Sequence, residues 1–149
     1  VKLVLVVAVA LINPEGRVLL AQRPEGKAMA GLWEFPGGKI EAGETPEQAL
    51  VREIEEELSI RLEESDLQPI QFASHTYESF HLLMPLYICT SWEGEPRGCE
   101  GQALEWAEID CLFDYAAPEA DLPLFQALKD WRRQGLSHEQ AQPEETTPG

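Results

Sequence analysis

Glu53, Glu56 and Glu57 are spaced i, i+3 and i+4, so on a helix turning roughly 100° per residue they fall on one arc, while Glu55 points elsewhere. Like charges at that spacing destabilise a helix unless a cation neutralises them. Carboxylate oxygens gathered this way suit a hard divalent ion, and such an ion lets an acidic protein hold a polyphosphate. A solvated acidic face is the plainer alternative, and most glutamate runs are no more than that. His75 and His81 have no partner at ligand spacing and read as hydrogen-bonded strand residues.

A helix must carry these carboxylates, and its start is marked. Thr45-Pro46-Glu47-Gln48 fits a capping box, with Thr45 as N-cap, Pro46 where a missing N–H costs nothing and Gln48 reaching back. The helix is expected to run to about Leu58, with Leu50, Val51, Ile54 and Leu58 facing the core. Pro36 to Gly43, with three glycines, reads as the loop feeding it.

Before the loop, Leu3 to Ile12 has the length and composition of a buried strand. Asn13-Pro14-Glu15-Gly16 is a turn, and Arg17 to Gln22 reads as the returning strand of a hairpin. Leu32 to Phe35 is a short extended piece. After the helix, Leu67 to Tyr77, Phe80 to Thr90 and Ala103 to Ile109 read as strands, and Asp121 opens a last helix, Leu122 to Arg133, with Leu124, Leu128 and Trp131 on one stripe. Strands mixed with helices predict an α/β (α+β) fold built as a helix–mixed sheet–helix sandwich. Residues 1–134 form the expected domain. Residues 135–149 read as a disordered acidic tail, since Ser137 to Gly149 is mostly Gln, Glu, Thr and Pro.

The chain has 149 residues, 27 acidic against 11 basic side chains and a formal charge of −16. One core of this size needs no disulfide or metal to fold, since it buries roughly 70% of the unfolded surface. The charge argues against duplex nucleic acid, which needs a basic face; Arg132-Arg133 is the longest basic pair and most simply complements a helix end. The apolar run Leu3 to Ile12 is about half a bilayer crossing. Cys89, Cys99 and Cys111 match neither a disulfide framework nor a zinc site. A cytoplasmic protein with reduced thiols, without membrane contact and monomeric by default, is the expectation.

The spacing around the acidic helix is more specific than its composition. Gly38, five residues, Glu44, seven residues, then Arg52-Glu53-Ile54-Glu55-Glu56-Glu57, two residues and Ile60 would coincide by chance at one start position with a probability on the order of 10⁻⁶. This pattern resembles the Nudix box, and the chain is similar to Nudix hydrolases. One position departs: Ser59 stands where the family has a helix-ending glycine. Gln22-Arg23-Pro24, Leu32-Trp33-Glu34-Phe35-Pro36-Gly37-Gly38-Lys39-Ile40-Glu41, Trp92-Glu93-Gly94-Glu95-Pro96 and Glu100-Gly101-Gln102 resemble the MutT branch, which cleaves oxidised guanine nucleoside triphosphates to monophosphate and pyrophosphate.

The resemblance implies Mg²⁺, with Mn²⁺ able to substitute, held by Glu53, Glu56 and Glu57 and the carbonyl of Gly37 or Gly38. Glu100 would be a metal-linked carboxylate. It implies that Arg52 pairs with Glu44, that Glu53 is the general base with Glu100 as the alternative, and that the metal-bound substrate is a nucleoside triphosphate. Arg23 and Lys39 would contact phosphates, Glu34 would line the approach, and Val4, Val6 and Phe80 would stack on the base. Where the branch reads the purine edge with asparagine, this chain has Asp121. An aspartate accepts from the N7–H of 8-oxoguanine but donates to O6 only when protonated. It could equally receive cytosine's amino group, and CTP and modified-cytidine pyrophosphohydrolases share much of the pattern; a non-catalytic Nudix-fold module that binds nucleotide is the other alternative, against which Glu44, Arg52, Glu53, Glu56 and Glu57 together favour the enzyme. A plain N-cap is the other role open to Asp121.

Overall fold

The computed structural model describes residues 2–145. The elements in chain order are β1 (Lys2–Leu11), β2 (Arg17–Gln22), β3 (Trp33–Glu34), β4 (Gly37–Lys39), α1 (Pro46–Leu58), β5 (Gln68–Thr76), β6 (Phe80–Cys89), β7 (Ala103–Glu108) and α2 (Leu122–Glu145). Short 3₁₀ turns at Glu64–Asp66, Ile109–Asp114 and Glu119–Asp121, absent from the sequence reading, join them.

β1 is central in a mixed four-stranded sheet ordered β4-β1-β6-β5, parallel to β6 and antiparallel to β4. Because strand side chains alternate, its two faces serve two cores. Val7, Val9 and Leu11 meet Ala49, Leu50, Ile54 and Leu58 of α1, whereas Ala8 and Ala10 share a cluster with Leu124, Phe125 and Leu128 of α2. The sheet therefore lies between two helices, as expected. Leu50, Ile54 and Leu58 are fully buried, and each such side chain contributes about 1.5–3 kcal/mol. That burial holds α1 in place against the mutual repulsion of its glutamates.

The hairpin expected of β1 and β2 does not form. They share a single bridge, Ile12 with Val18, beyond the turn where Gly16 donates to the Asn13 carbonyl. β2 instead sits in a second sheet ordered β3-β2-β7. Both edges of each strand are taken by other partners, β4 and β6 for β1, β3 and β7 for β2. The expected glycine loop also contains a strand. Gly37 and Gly38 pair with Ala8 and Val7, and a Cβ on Gly37 would lie 2.0 Å from the Val7 carbonyl oxygen, so a bare backbone is what permits the pairing.

α1 starts as read: the Thr45 hydroxyl accepts from the Gln48 N–H and the Gln48 side chain accepts from the Thr45 N–H. Its end shows how Ser59 replaces a glycine. Ser59 adopts the left-handed conformation, φ 61°, which costs a non-glycine residue about 1–2 kcal/mol. Its N–H caps the Glu55 carbonyl, and Arg97 donates to its hydroxyl at 3.2 Å. α2 runs past the expected end at Arg133 to Glu145, into the segment read as a disordered tail. The tail's residues 146–149 lie outside the described residues. No described helix is long and apolar enough to cross a membrane.

Candidate active site

Arg52 is the hub that joins helix to loop. Its Nε and Nη2 bind both carboxylate oxygens of Glu44, at 2.7 and 2.9 Å, its Nη1 reaches Glu53 at 3.0 Å, and Nη2 also donates to the Lys39 carbonyl at 3.2 Å. A rigid fork contacting both oxygens of one carboxylate fixes geometry as well as charge. Glu44 also accepts the Glu41 N–H, and the Arg52 bond together with this one holds its carboxyl down at about 2. The strand pairing of β4 and this clamp together set Gly38 against Glu53: a Cβ on Gly38 would lie 2.2 Å from the Glu53 carboxyl carbon.

One turn further, Glu57 faces the cleft with Glu100, which comes from the loop between β6 and β7. That loop docks on the end of α1, where Arg97 N–H donates to the Leu58 carbonyl at 2.9 Å and Cys99 N–H to the Glu57 carbonyl at 3.0 Å. These bonds satisfy carbonyls that a helix end leaves open. Burial first, then the charges of Glu53, Glu100 and Glu34, push the Glu57 carboxyl up to about 8.

The cleft has a volume of about 280 Å³. Val6, Ala8, Ala21 and Met84 supply apolar wall, and Asp121 lines it from the start of α2. Asp121 is 3% exposed, and its Oδ2 accepts the Phe35 N–H at 3.3 Å. That bond, 86 residues away in the chain, is the contact recorded for its side chain, in place of the N-cap role left open by the sequence. Burial, then the charge of Glu34, raises Asp121 to about 8 against the pull of Phe35 N–H and Arg23. Glu34 pairs with Arg23 at 3.2 Å, yet burial outweighs the arginine and raises its carboxyl as well.

Of the residues singled out in the sequence, Arg23, Glu34, Gly37, Gly38, Lys39, Val6, Glu57, Glu100 and Asp121 all border this one cleft. Glu53 is reached through Gly38. Val4 shares the strand face of Val6 and Ala8 but lies beyond the lining, and Phe80 packs on Tyr77 with ring centroids 5.2 Å apart rather than lining the cleft. Their distance along β1 and β6 from Ala8 and Met84 explains this. Among the polar lining residues, Gln22, Lys27 and Gln102 had no assigned role; the only sequence mark of Lys27 is a lone cation in a glycine-bearing loop.

The donor set is chemically suited to a hard divalent ion: carboxylate oxygens on one helical arc, a glycine backbone close to them, and a half-buried Glu57 whose charge its neighbours oppose. Yet among the described residues no three His, Cys, Asp or Glu side chains form a group that could hold a metal. The reason is visible in the side chains. Glu53 turns to Arg52, and Glu56, with a side chain 59% exposed, lies 3.6 Å from the same guanidinium. Arg52 collects two of the carboxylates on that face, Glu53 and Glu56. Glu53, Glu56, Glu57 and Glu100, with a Gly37 or Gly38 carbonyl, fit the ion in donor type and in backbone placement, and side-chain rotation is what would bring them together.

The NUDIX domain family model matches residues 7–127. An 8-oxo-dGTP diphosphatase of Haemophilus influenzae is 40% identical over 134 residues, covering 85% of this chain and 92% of that protein. A CTP pyrophosphohydrolase of Escherichia coli is 40% identical over 129 residues, again with 85% and 92% covered. A solved structure described for MutT from Aliivibrio salmonicida and Vibrio cholerae superposes with a TM-score of 0.71 at 37% identity, covering 84% of this chain and 95% of that one.

Proposed function

The chain belongs to the NUDIX domain family and is a MutT-like Nudix hydrolase, and from that premise we propose that it hydrolyses 8-oxo-dGTP to 8-oxo-dGMP and pyrophosphate with Mg²⁺ as its working ion. The observation that carries the reading of a base-recognising cleft is the buried Asp121 carboxyl, which opens onto the same cleft as Glu57 and Glu100. Raised to about 8, it is mostly a neutral acid at pH 7. A neutral acid donates through its O–H and accepts through its C=O. 8-Oxoguanine offers O6 as acceptor beside N7–H as donor, whereas ordinary guanine offers two acceptors there.

Arg23, Lys27 and Lys39 converge on the cleft of an otherwise acidic chain and meet the triphosphate. When bound among the glutamates, a divalent ion polarises the phosphoryl oxygens and acidifies water. Glu53, which rests 3.0 Å from Arg52, rotates toward the ion and takes the proton of the attacking water as the β-phosphorus is attacked, with Glu100 as the alternative base. Glu44 in turn fixes Arg52, so the β4 loop and helix cannot part without breaking a two-pronged ion pair. The reading extends to a monomer in the cytoplasm that does not use duplex nucleic acid; Cys89, Cys99 and Cys111, all free, are consistent with a reducing compartment.

A second reading, a CTP or modified-cytidine pyrophosphohydrolase, is favoured by the same Asp121, because cytosine's N4–H and N3 also pair with a neutral acid. Pyrophosphate release measured with 8-oxo-dGTP, dGTP, CTP and 5-methyl-dCTP separates them. The oxidised guanine nucleotide is expected to have the highest kcat/KM; a cytidine nucleotide ahead of it hands the assignment to the second reading.

A further inference from the structure

Gln102 sits immediately before β7, and its side-chain amide is used at both ends. Oε1 accepts the Glu100 N–H at 2.8 Å, and Nε2 donates to the Glu57 carbonyl at 3.3 Å. The two residues it ties together are two of the three glutamates that line the cleft, one from the last turn of α1 and one from the loop after β6. The surrounding chain is shaped to keep that tie short. Gly101 takes φ +80°, and a Cβ on Gly98 would lie 2.2 Å from the Gln102 carbonyl and 3.3 Å from its Oε1, so only glycine lets the turn close over this side chain. Downstream, Ala103 is paired with Gln22 in the second sheet, which anchors the base of Gln102.

We propose that Gln102 is a positioning residue that sets Glu100 against Glu57, and so builds the part of the divalent-ion site that α1 cannot supply alone. The proposal rests on the reading of Glu57 and Glu100 as ion-holding carboxylates. The amide is the required chemistry, because one end must accept an N–H and the other donate to a carbonyl; a carboxylate lacks the donor and a hydrocarbon lacks both. Fixing the backbone of Glu100 leaves its own carboxylate, which is exposed, free to turn toward the cleft. Gln102 itself need touch neither ion nor nucleotide.

The test uses Mn²⁺ alone as the probe, with free Mn²⁺ counted by electron paramagnetic resonance in the full chain without nucleotide. Gln102→Met keeps the length of the side chain and removes both bonds, and it is expected to weaken Mn²⁺ binding roughly tenfold to a hundredfold, the usual loss when a partner of a metal ligand is removed. In a Glu100→Gln background the same substitution is expected to cause no further loss, because Gln102 acts through Glu100. Gln102→Ala repeats the cycle if the methionine variant does not fold. Two outcomes overturn the inference while leaving the site reading intact: wild-type Mn²⁺ affinity in Gln102→Met when Glu100→Gln is weakened, or an equal loss in both backgrounds. Unchanged affinity in Glu100→Gln overturns the role of Glu100 and the inference with it.

Discussion

Replacing Asp121 with asparagine separates a neutral acid that reads the base from a carboxylate that does not. The amide offers one acceptor and one donor at every pH, whereas the wild-type side chain offers both only while protonated. With the carboxyl at about 8, the competent fraction is about 0.9 at pH 7 and about 0.1 at pH 9, roughly a tenfold fall. The free enzyme's titration governs kcat/KM, so that is the quantity to follow, with 8-oxo-dGTP and saturating Mg²⁺, by pyrophosphate release between pH 6.5 and 9.5. Glu57 is also raised to about 8, and its titration and that of the substrate are common to both proteins. The ratio of wild type to Asp121→Asn cancels them. That ratio is expected to be flat below pH 7 and to drop about tenfold by pH 9. A ratio that stays level across the range, or a folded Asp121→Asn with no activity anywhere in it, refutes base reading by the protonated acid.

Glu53→Gln should nearly abolish pyrophosphate release while far-ultraviolet circular dichroism stays unchanged, and wild-type release would remove Glu53 from catalysis. Gly38→Ala puts a methyl 2.2 Å from the Glu53 carboxyl carbon; the resulting displacement of about an ångström should cost roughly a hundredfold in kcat, and a variant as fast as wild type would show that this approach is not used. Glu44 is held at about 2, below its unfolded value, so its contribution to stability is complete above about pH 4.5 and drains away as pH falls toward 2. Thermal melts across that window should therefore show a shallower decline for Glu44→Gln than for wild type, and parallel declines would mean that the Arg52 pair does not act on stability.

What could be read from the sequence was whatever short-range chemistry decides. Thr45 and Gln48 cap α1 because four adjacent residues suffice for a capping box, and β2 spans Arg17–Gln22 as read, because its apolar run ends at turn formers. Arg52 and Glu44 meet as the resemblance to the Nudix box implied, a reading that local chemistry alone did not supply. Strand partners were not legible. A turn at Asn13–Gly16 suggested a hairpin, but which edge β1 and β2 each use is set by β3, β4, β6 and β7, chosen across the whole chain. Gly37 and Gly38 read as loop formers; their pairing depends on the closeness of the Val7 backbone, which no local pattern reveals. Gln102 carried no mark of its role, since its two partners lie 2 and 45 residues away and neither is a side chain.

The charge balance looks at first to oppose an anionic substrate, since a chain of −16 repels one at long range. Apart from the Arg23–Glu34 pair, the two signs reach the cleft from different elements. Arg23, Lys27 and Lys39 arrive from the β2–β3 loop and from β4, while Glu57 and Glu100 arrive from the end of α1 and the loop facing it. Fixed cations on one side can take phosphate oxygens directly, and carboxylates on the other can do so only through a divalent ion. Phosphate binding and ion binding thus depend on each other: the ion gains the phosphate oxygens as ligands, and the nucleotide gains a cation on the carboxylate side of the cleft. Reciprocity follows thermodynamically, so saturating nucleotide must tighten the ion by the same factor that the ion tightens nucleotide, a relation that Arg52, bound to Glu44 and Glu53 and outside the cleft lining, leaves undisturbed.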